Sequence, residues 1–160
     1  MEFRTVDLRA CVDKAVAAVL PPDRPAPVRL DLSVPADLPR LSGDERALTE
    51  AVAHLVRNAV EALAGREQGV VRLRARPIGD ALLSKCLELT VEDNGPGVSD
   101  EMREKLFSPF ATTKARGLGL GLPIVNRTVV DHRGRVRVES SGAGTRVVLV
   151  LPLTAGESAP

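Results

Sequence analysis

The stretch SGDERALTEAVAHLVRNAVEALAG, residues 42–65, constrains the chain more than any other. Leu48, Ala51, Val52, Leu55, Ala59 and Leu63 recur at spacings of three and four, which draws one apolar stripe along a helix closed by Gly65. A second stripe runs through VDLRACVDKAVAAVL, residues 6–20, as Leu8, Cys11, Val12, Ala15, Val16 and Val19, with Asp7 as its N-cap. The prolines of PPDRPAP then stop that helix, because proline lacks the amide donor a helix interior needs.

The remaining chain supplies strands. VRLDLSV alternates apolar and polar residues, and PADLPRL after it is a connector. VVRLRARPI and CLELTVEDN read as two strands whose connection is long for a hairpin. SDEMREKLF resembles a short helix capped by Ser99, with acids in its first turn. GLPIVNRTVVDHRG reads as a helix ending at Gly134, and RVRVES and TRVVLVLP as a hairpin across SGAG. Strands and helices follow one another without regular βαβ alternation. The expected fold is therefore α+β: a two-layer sandwich, one mixed sheet of about five strands covered on one face by three helices. The segment from about 95 to 116 carries little structure of its own and is expected to be a mobile lid. The expected domain runs from 1 to 153, with a disordered tail over 154–160.

Composition narrows the function. A chain of 160 residues holds one domain. The net charge is +1 and the pI about 7.8, so no basic field points to nucleic acid or an anionic membrane. No apolar run approaches the ~20 residues of a membrane span, and the N-terminal residues do not have the form of a signal peptide. Cys11 and Cys86 are isolated, with no CxxC, which predicts two reduced thiols in a cytoplasmic setting. Three Phe and no Trp or Tyr leave no stacking platform for single-stranded nucleic acid.

Four features carry the chemistry. On the helix over 42–65 His54, Asn58 and Glu61 form a polar row, with Glu50 one turn earlier. Taken alone the row reads as a solvated face, but Asn58 is a poor helix former set between Leu55 and Ala59. VEDNGPGV ends a strand in Asp93 and turns through Gly95, Pro96 and Gly97. LFSPFATTK sets Phe107 and Phe110 in a polar segment with Thr113 and Lys114, as a latch or as a small satellite core. Last, RGLGLGLPIV alternates Gly117, Gly119 and Gly121 with leucines ahead of a helix. Glycine weakens a strand interior, whereas glycines before a helix N-terminus bring backbone N–H groups close to phosphate oxygens. The spacing matches neither the GxGxxG dinucleotide fingerprint nor a P-loop.

In order, HLVRNAVEAL, VEDNGPG, LFSPFATTK, RGLGLGLPI and GAGTRVVLVLP resemble the asparagine box, first glycine box, phenylalanine box, and second and third glycine boxes of the sensor histidine kinase catalytic domain. That domain belongs to the superfamily of gyrase, Hsp90 and MutL ATPases, with a Bergerat-type sandwich. The resemblance runs from about Thr5 to Pro152. The FxPFxTTK form is most similar to the nitrogen-regulation class, and HLVRN to chemotaxis kinases.

The resemblance implies ATP and Mg²⁺ as cofactors. Asp93 would accept from the adenine amino group, with Gly95 and Gly97 letting the chain pass close to the base and Thr145 near the adenine pocket. Asn58 would hold Mg²⁺ through its carboxamide oxygen, with Glu61 on the same helix in the nucleotide site. Gly117, Leu118, Gly119, Leu120 and Gly121 would hold the phosphates, and Thr113 and Lys114 would act from the lid, Lys114 on the terminal phosphates. Phosphoryl transfer rests on positioning and charge neutralisation, so the set is mainly a binding set; His54, Asn58 and Lys114 are its catalytic candidates. His54 stands where sensor kinases usually carry Asn and the gyrase-like ATPases Glu. Three roles stay open for it: orienting the γ-phosphate, accepting a proton, or only lining the pocket.

The resemblance also implies a partner. Sensor kinases phosphorylate a histidine on a helical hairpin, in a motif such as H-E-[IL]-R-x-P, and neither His54 nor His132 has that context. His132 is most simply a residue at a helix C-terminus. The chain is thus expected to be the excised catalytic module of a longer kinase, monomeric alone, acting on a separate dimerisation and phosphoacceptor domain and through it on a response regulator. The rival readings are a stand-alone protein-serine kinase of the anti-sigma-factor type and a non-catalytic nucleotide- or partner-binding module.

Overall fold

The computed structural model describes residues 1–21, 23, 28–80, 83–97 and 118–153, with the backbone alone at 80, 83, 84 and 118–121. In chain order the elements are β1 (Arg4–Val6), α1 (Leu8–Val19), β2 (Val28–Ser33), β3 (Leu41–Gly43), α2 (Glu45–Ala62), β4 (Gly69–Asp80), β5 (Leu83–Asp93), α3 (Leu118–Asp131), β6 (Arg135–Ser141) and β7 (Gly144–Pro152). The main sheet has the strand order β2-β4-β5-β7-β6; β2 runs parallel to β4 and the other neighbours are antiparallel. This is the expected mixed five-stranded sheet with three helices.

Both predicted apolar stripes face the core. Asp7 caps α1, its carboxylate accepting the N–H of Arg9 at 3.0 Å, and Leu8, Cys11, Val12 and Ala15 are buried. Asp44 caps α2 in the same way, accepting from the N–H of Ala47 at 2.8 Å. Such a cap satisfies a donor the helix start leaves free and contributes about 1 kcal/mol. α2 packs between α1 and α3 and over β4 and β5. Its Leu48, Val52, Leu55 and Val56 close on Val71, Leu73, Leu89 and Val91 in one cluster. Full burial of each such side chain contributes roughly 1.5–3 kcal/mol. Gly65, at φ +81°, turns the chain out of α2 towards β4.

The opposite face of the sheet is charged. One rung crosses all five strands: Asp31, Arg72, Glu92, Arg146 and Glu139 stand side by side in register. Their successive ion pairs measure 3.0, 3.2, 2.7 and 3.8 Å. Directly opposed opposite charges favour this register, because a slip of one residue would carry them into the core.

The structure corrects three sequence expectations. The strands read as VVRLRARPI and CLELTVEDN form one long hairpin whose register closes at Asp80↔Leu83. The connection looks too long because both strands run on past the residues that show a strand pattern, β4 to Asp80 and β5 from Leu83. β2 pairs β4 only as far as Arg74, so at Pro77 that side of β4 is an edge that needs no donor. Second, the connector PADLPRL ends in a strand: Leu41 opens β3, which pairs antiparallel with β1 in a separate two-stranded sheet. Three-residue strands are too short to show a period. Third, the last helix starts at Leu118, three residues before the expected Gly121. The short helix over 99–107, Phe107, Phe110, almost all of the lid, and the tail over 154–160 lie outside the described residues.

Candidate nucleotide site

Asp93 is the last residue of β5 and only 7% exposed. Its Oδ1 accepts the N–H of Gly95 at 2.8 Å, and Thr145, opposite it on β7, gives a second backbone hydrogen bond. Burial pushes the Asp93 carboxyl above its usual value, while these two N–H groups pull the other way. The result is a buried acceptor at a sheet end, open to a ligand N–H donor.

Glycines make this corner possible. A Cβ on Gly95 would stand 3.0 Å from the carbonyl oxygen of Ala62 and 2.9 Å from Asp93 Oδ1. The turn after Asp93 therefore rests on the last turn of α2. Gly144, at φ +138°, would place a Cβ 1.9 Å from the Asp93 carbonyl oxygen. Gly97, at φ +76°, would place one 2.0 Å from that of Ser141. The contacts that exclude side chains at Gly95 and Gly97 are thus with the protein's own atoms: the Asp93 carboxylate and Ala62 for Gly95, and Ser140 and Ser141 for Gly97.

Asn58 stands one turn before Ala62 on α2, so the helix carries it beside the same corner. Its amide nitrogen is buried and has no hydrogen-bond partner among the described residues. An orphan of this kind costs about 1–3 kcal/mol unless a ligand or water satisfies it. His54, a turn earlier, is half-buried. Desolvation, and secondarily the charge of Arg57, hold its imidazole below the ordinary value, against a weaker pull from Glu50. Glu61 is half-buried and makes an interaction of its own. No cluster of three His, Cys, Asp or Glu side chains able to hold a metal occurs among the described residues. A cation here would be held by Asn58 and by oxygens of a ligand, which suits Mg²⁺, an ion that keeps water and phosphate oxygens around it.

A cleft of about 590 Å³ opens at this end of the sheet, with Asp93, Asn94, Ser140, Gly144 and Thr145 among its walls. It continues over the charged face to Arg72 and Arg146 and does not include Asn58 or His54. The hydroxyls of Ser140 and Thr145 lie 3.4 Å apart within it.

The glycine stretch takes a different form from the one expected. Leu118, Gly119, Leu120 and Gly121 belong to α3 itself and do not precede it. The N–H groups of the first helical residues have no partner within the helix, so those of Leu118, Gly119 and Leu120 are donors that α3 itself leaves unused. Pro123 lies inside α3 and gives no N–H back to Gly119, loosening the same turn. Leu122 is buried and anchors it. Thr113, Lys114 and Gly117 lie outside the described residues.

Several residues that shape this region carry no distinct signal in the sequence. Asn94 and Gly144 fix the chain on either side of Asp93, yet an Asn or Gly in a turn sequence signals only a turn. His132, read as a helix end, is 2% exposed and binds across to α2.

Against known proteins, residues 43–155 match the family of histidine kinase-, DNA gyrase B- and HSP90-like ATPases. The chain belongs to this family. It is 40% identical over 118 residues to the C4-dicarboxylate transport sensor protein DctB of Rhizobium meliloti (strain 1021), covering 74% of this chain and 18% of that one. Against the sensory histidine kinase/phosphatase NtrB of Rhizobium leguminosarum bv. phaseoli the identity is 35% over 135 residues, 78% of this chain and 35% of the relative. The chain thus spans about a fifth to a third of the curated relatives it matches. Among solved structures, the nucleotide-free catalytic domain of histidine kinase ThkA superposes with a TM-score of 0.83 at 27% identity, over 97% of this chain and 98% of that one. The mycobacterial sensor histidine kinase MprB gives 0.79 at 27%, over 96% and 99%. Full-length ShkA in complex with AMPPNP gives 0.77 at 26%, over 98% of this chain and 32% of that one.

Proposed function

We propose that this chain is the cytoplasmic catalytic module, residues 1–153, of a two-component sensor kinase. It binds Mg-ATP and hands the γ-phosphoryl group to a histidine on a separate dimerisation and phosphoacceptor domain, which passes it to a response regulator. The observation that carries the reading is the pairing of two groups along α2: the half-buried Asn58, whose amide nitrogen is buried without a partner among the described residues, and, one turn on, the corner that holds the Asp93 carboxylate. Relatives named as sensor kinases and a neighbour solved with AMPPNP support it.

In this reading Asp93 accepts the adenine amino group on the α2 side of the sheet, with Gly95, Gly97 and Thr145 around it. The N–H groups of Leu118, Gly119 and Leu120 that α3 leaves unused, together with Gly117 and Gly121, take the phosphates at the positive end of α3. Asn58 offers its carboxamide oxygen to Mg²⁺, and Glu61 lies on the same helix. Held there by Asn58, such an ion would supply neutralisation of the charge that develops on transfer. Thr113 and Lys114 contact the terminal phosphates from the lid. His54, whose half-buried place on α2 lowers its pKa, acts as a hydrogen-bonding group towards the γ-phosphate. The exposed Ile124 and Val130 flank Arg127 on the outer side of α3, which offers the acceptor domain an apolar footing next to the phosphates.

The reading is tested by mixing the chain with the separately produced phosphoacceptor domain of its parent protein and γ-labelled ATP. The expected product is acid-labile phosphohistidine on the acceptor, with none on this chain. Acid-stable label on serine would support a protein-serine kinase instead, and no transfer from a nucleotide-bound sample would contradict the proposal.

A further inference from the structure

We infer that Asn94 is a positioning residue that fixes the angle at which Asp93 meets the purine 6-amino group, an assignment that rests on the nucleotide reading above. Asp93 ends its strand, and a strand end is free to twist unless the next residue is held. Asn94 is held at each of its polar groups. Its backbone N–H donates to the Val70 carbonyl at 3.3 Å, and its Oδ1 accepts the Val70 N–H at 2.7 Å. Its Nδ2 donates to the Gln68 carbonyl at 3.0 Å, and its own carbonyl accepts from Arg66 Nη1 at 2.9 Å. The side-chain amide thus continues the β4–β5 ladder one step past the last paired residues, binding the α2–β4 turn to the residue after Asp93.

Exposure makes this economy informative. Asn94 is solvent-exposed, so water would satisfy its amide without any protein partner. Four protein contacts on one exposed residue restrain the chain without adding buried surface. The chemistry also requires this side chain. An acceptor and a donor must lie in one plane at the reach of a single methylene; Asp would set a negative oxygen against the Gln68 carbonyl, and Gln is one carbon too long. On the other side of Asp93, β7 holds the strand through Thr145. The carboxylate therefore sits between two fixed supports, and a hydrogen bond to a flat exocyclic amine depends steeply on angle.

The test compares binding of Mg-ATP and Mg-purine riboside triphosphate, which lacks only the 6-amino group, by calorimetry. The wild-type chain is expected to favour ATP roughly tenfold or more, the loss that follows removal of a donor to a charged acceptor. Asn94→Ala, folded by circular dichroism, is expected to bring that ratio below about threefold while affinity for the purine analogue changes little. Arg66→Lys keeps the positive charge that acts on Asp93 while shortening the reach to the Asn94 carbonyl, and is expected to lower the ratio part of the way. Equal weakening of both nucleotides in the variants, or an unchanged ratio, would overturn the positioning role alone. Equal binding of both nucleotides by the wild-type chain would instead remove the adenine reading on which it rests.

Discussion

His132 Nε2 accepts the backbone N–H of Asp44 at 2.9 Å, across 88 residues of sequence. The other ring nitrogen, Nδ1, lies 2.7 Å from the carbonyl of Thr128 and so carries the proton. The ring also stacks on Phe3 at 4.7 Å between centroids. Asp44 caps α2, and its second oxygen accepts the N–H of Glu2 at 2.8 Å. One imidazole thereby ties the end of α3 to the start of α2 and to the N-terminal segment, and so sets how the two nucleotide-site helices lie against each other.

Replacing His132 by Ala is expected to destabilise the chain by about 2–4 kcal/mol, through a cavity and an orphaned N–H at Asp44. The corresponding fall in melting temperature is roughly 5–15 °C. Phe3→Ala, on a 40% exposed ring, should cost under about 1 kcal/mol. Thermal unfolding followed by circular dichroism gives both values; equal effects would contradict the central place of the imidazole.

Gly144 and Gly142 stand two residues apart in one hairpin and should respond differently. Gly144→Ala must leave a left-handed φ of +138° and clear the Asp93 carbonyl, at a cost of about 2–3 kcal/mol. It should also weaken nucleotide binding, since Asp93 is what yields. A Cβ on Gly142 meets nothing within 4 Å, so Gly142→Ala should stay within about 0.5 kcal/mol of the parent. Urea titrations of both variants, with nucleotide affinities, separate the two cases.

Asp93 links function to stability through its raised pKa. Between the ordinary carboxyl value and the raised folded value, the native protein keeps a proton that the unfolded chain has lost. The contribution of this group is therefore full at low pH and is lost as pH rises through that window. Asp93→Asn removes the titration. Its melting temperature relative to the wild type should be more favourable at neutral than at mildly acidic pH, while nucleotide affinity falls at least tenfold. A difference independent of pH would mean that Asp93 is not desolvated as described.

Periodicity reveals what repeats and misses what crosses. The stripes of α1 and α2 were legible because each apolar residue reports the same face, and Asp93 and Asn58 because each breaks a local rule: a carboxylate at a strand end, an Asn inside a helix. β1 and β3 were not legible, since three residues have no period. The β4–β5 hairpin was hidden by the apparent length of its connection, most of which continues the two strands. His132, Asn94 and Gly144 gain their meaning from backbone far away in sequence. The glycine stretch reads as a loop ahead of the helix, because glycine's low helix propensity argues against the helix that begins at Leu118.

The central claim is that Asp93 and Asn58 bound one nucleotide site, and titration with ADP tests it most directly. Calorimetry suits a chain with neither Trp nor Tyr. Micromolar binding in the presence of Mg²⁺ is expected, with at least a tenfold loss in Asp93→Asn and loss of the magnesium dependence in Asn58→Ala. Absence of binding at millimolar ADP by a folded sample, or undiminished binding by both variants, would contradict it.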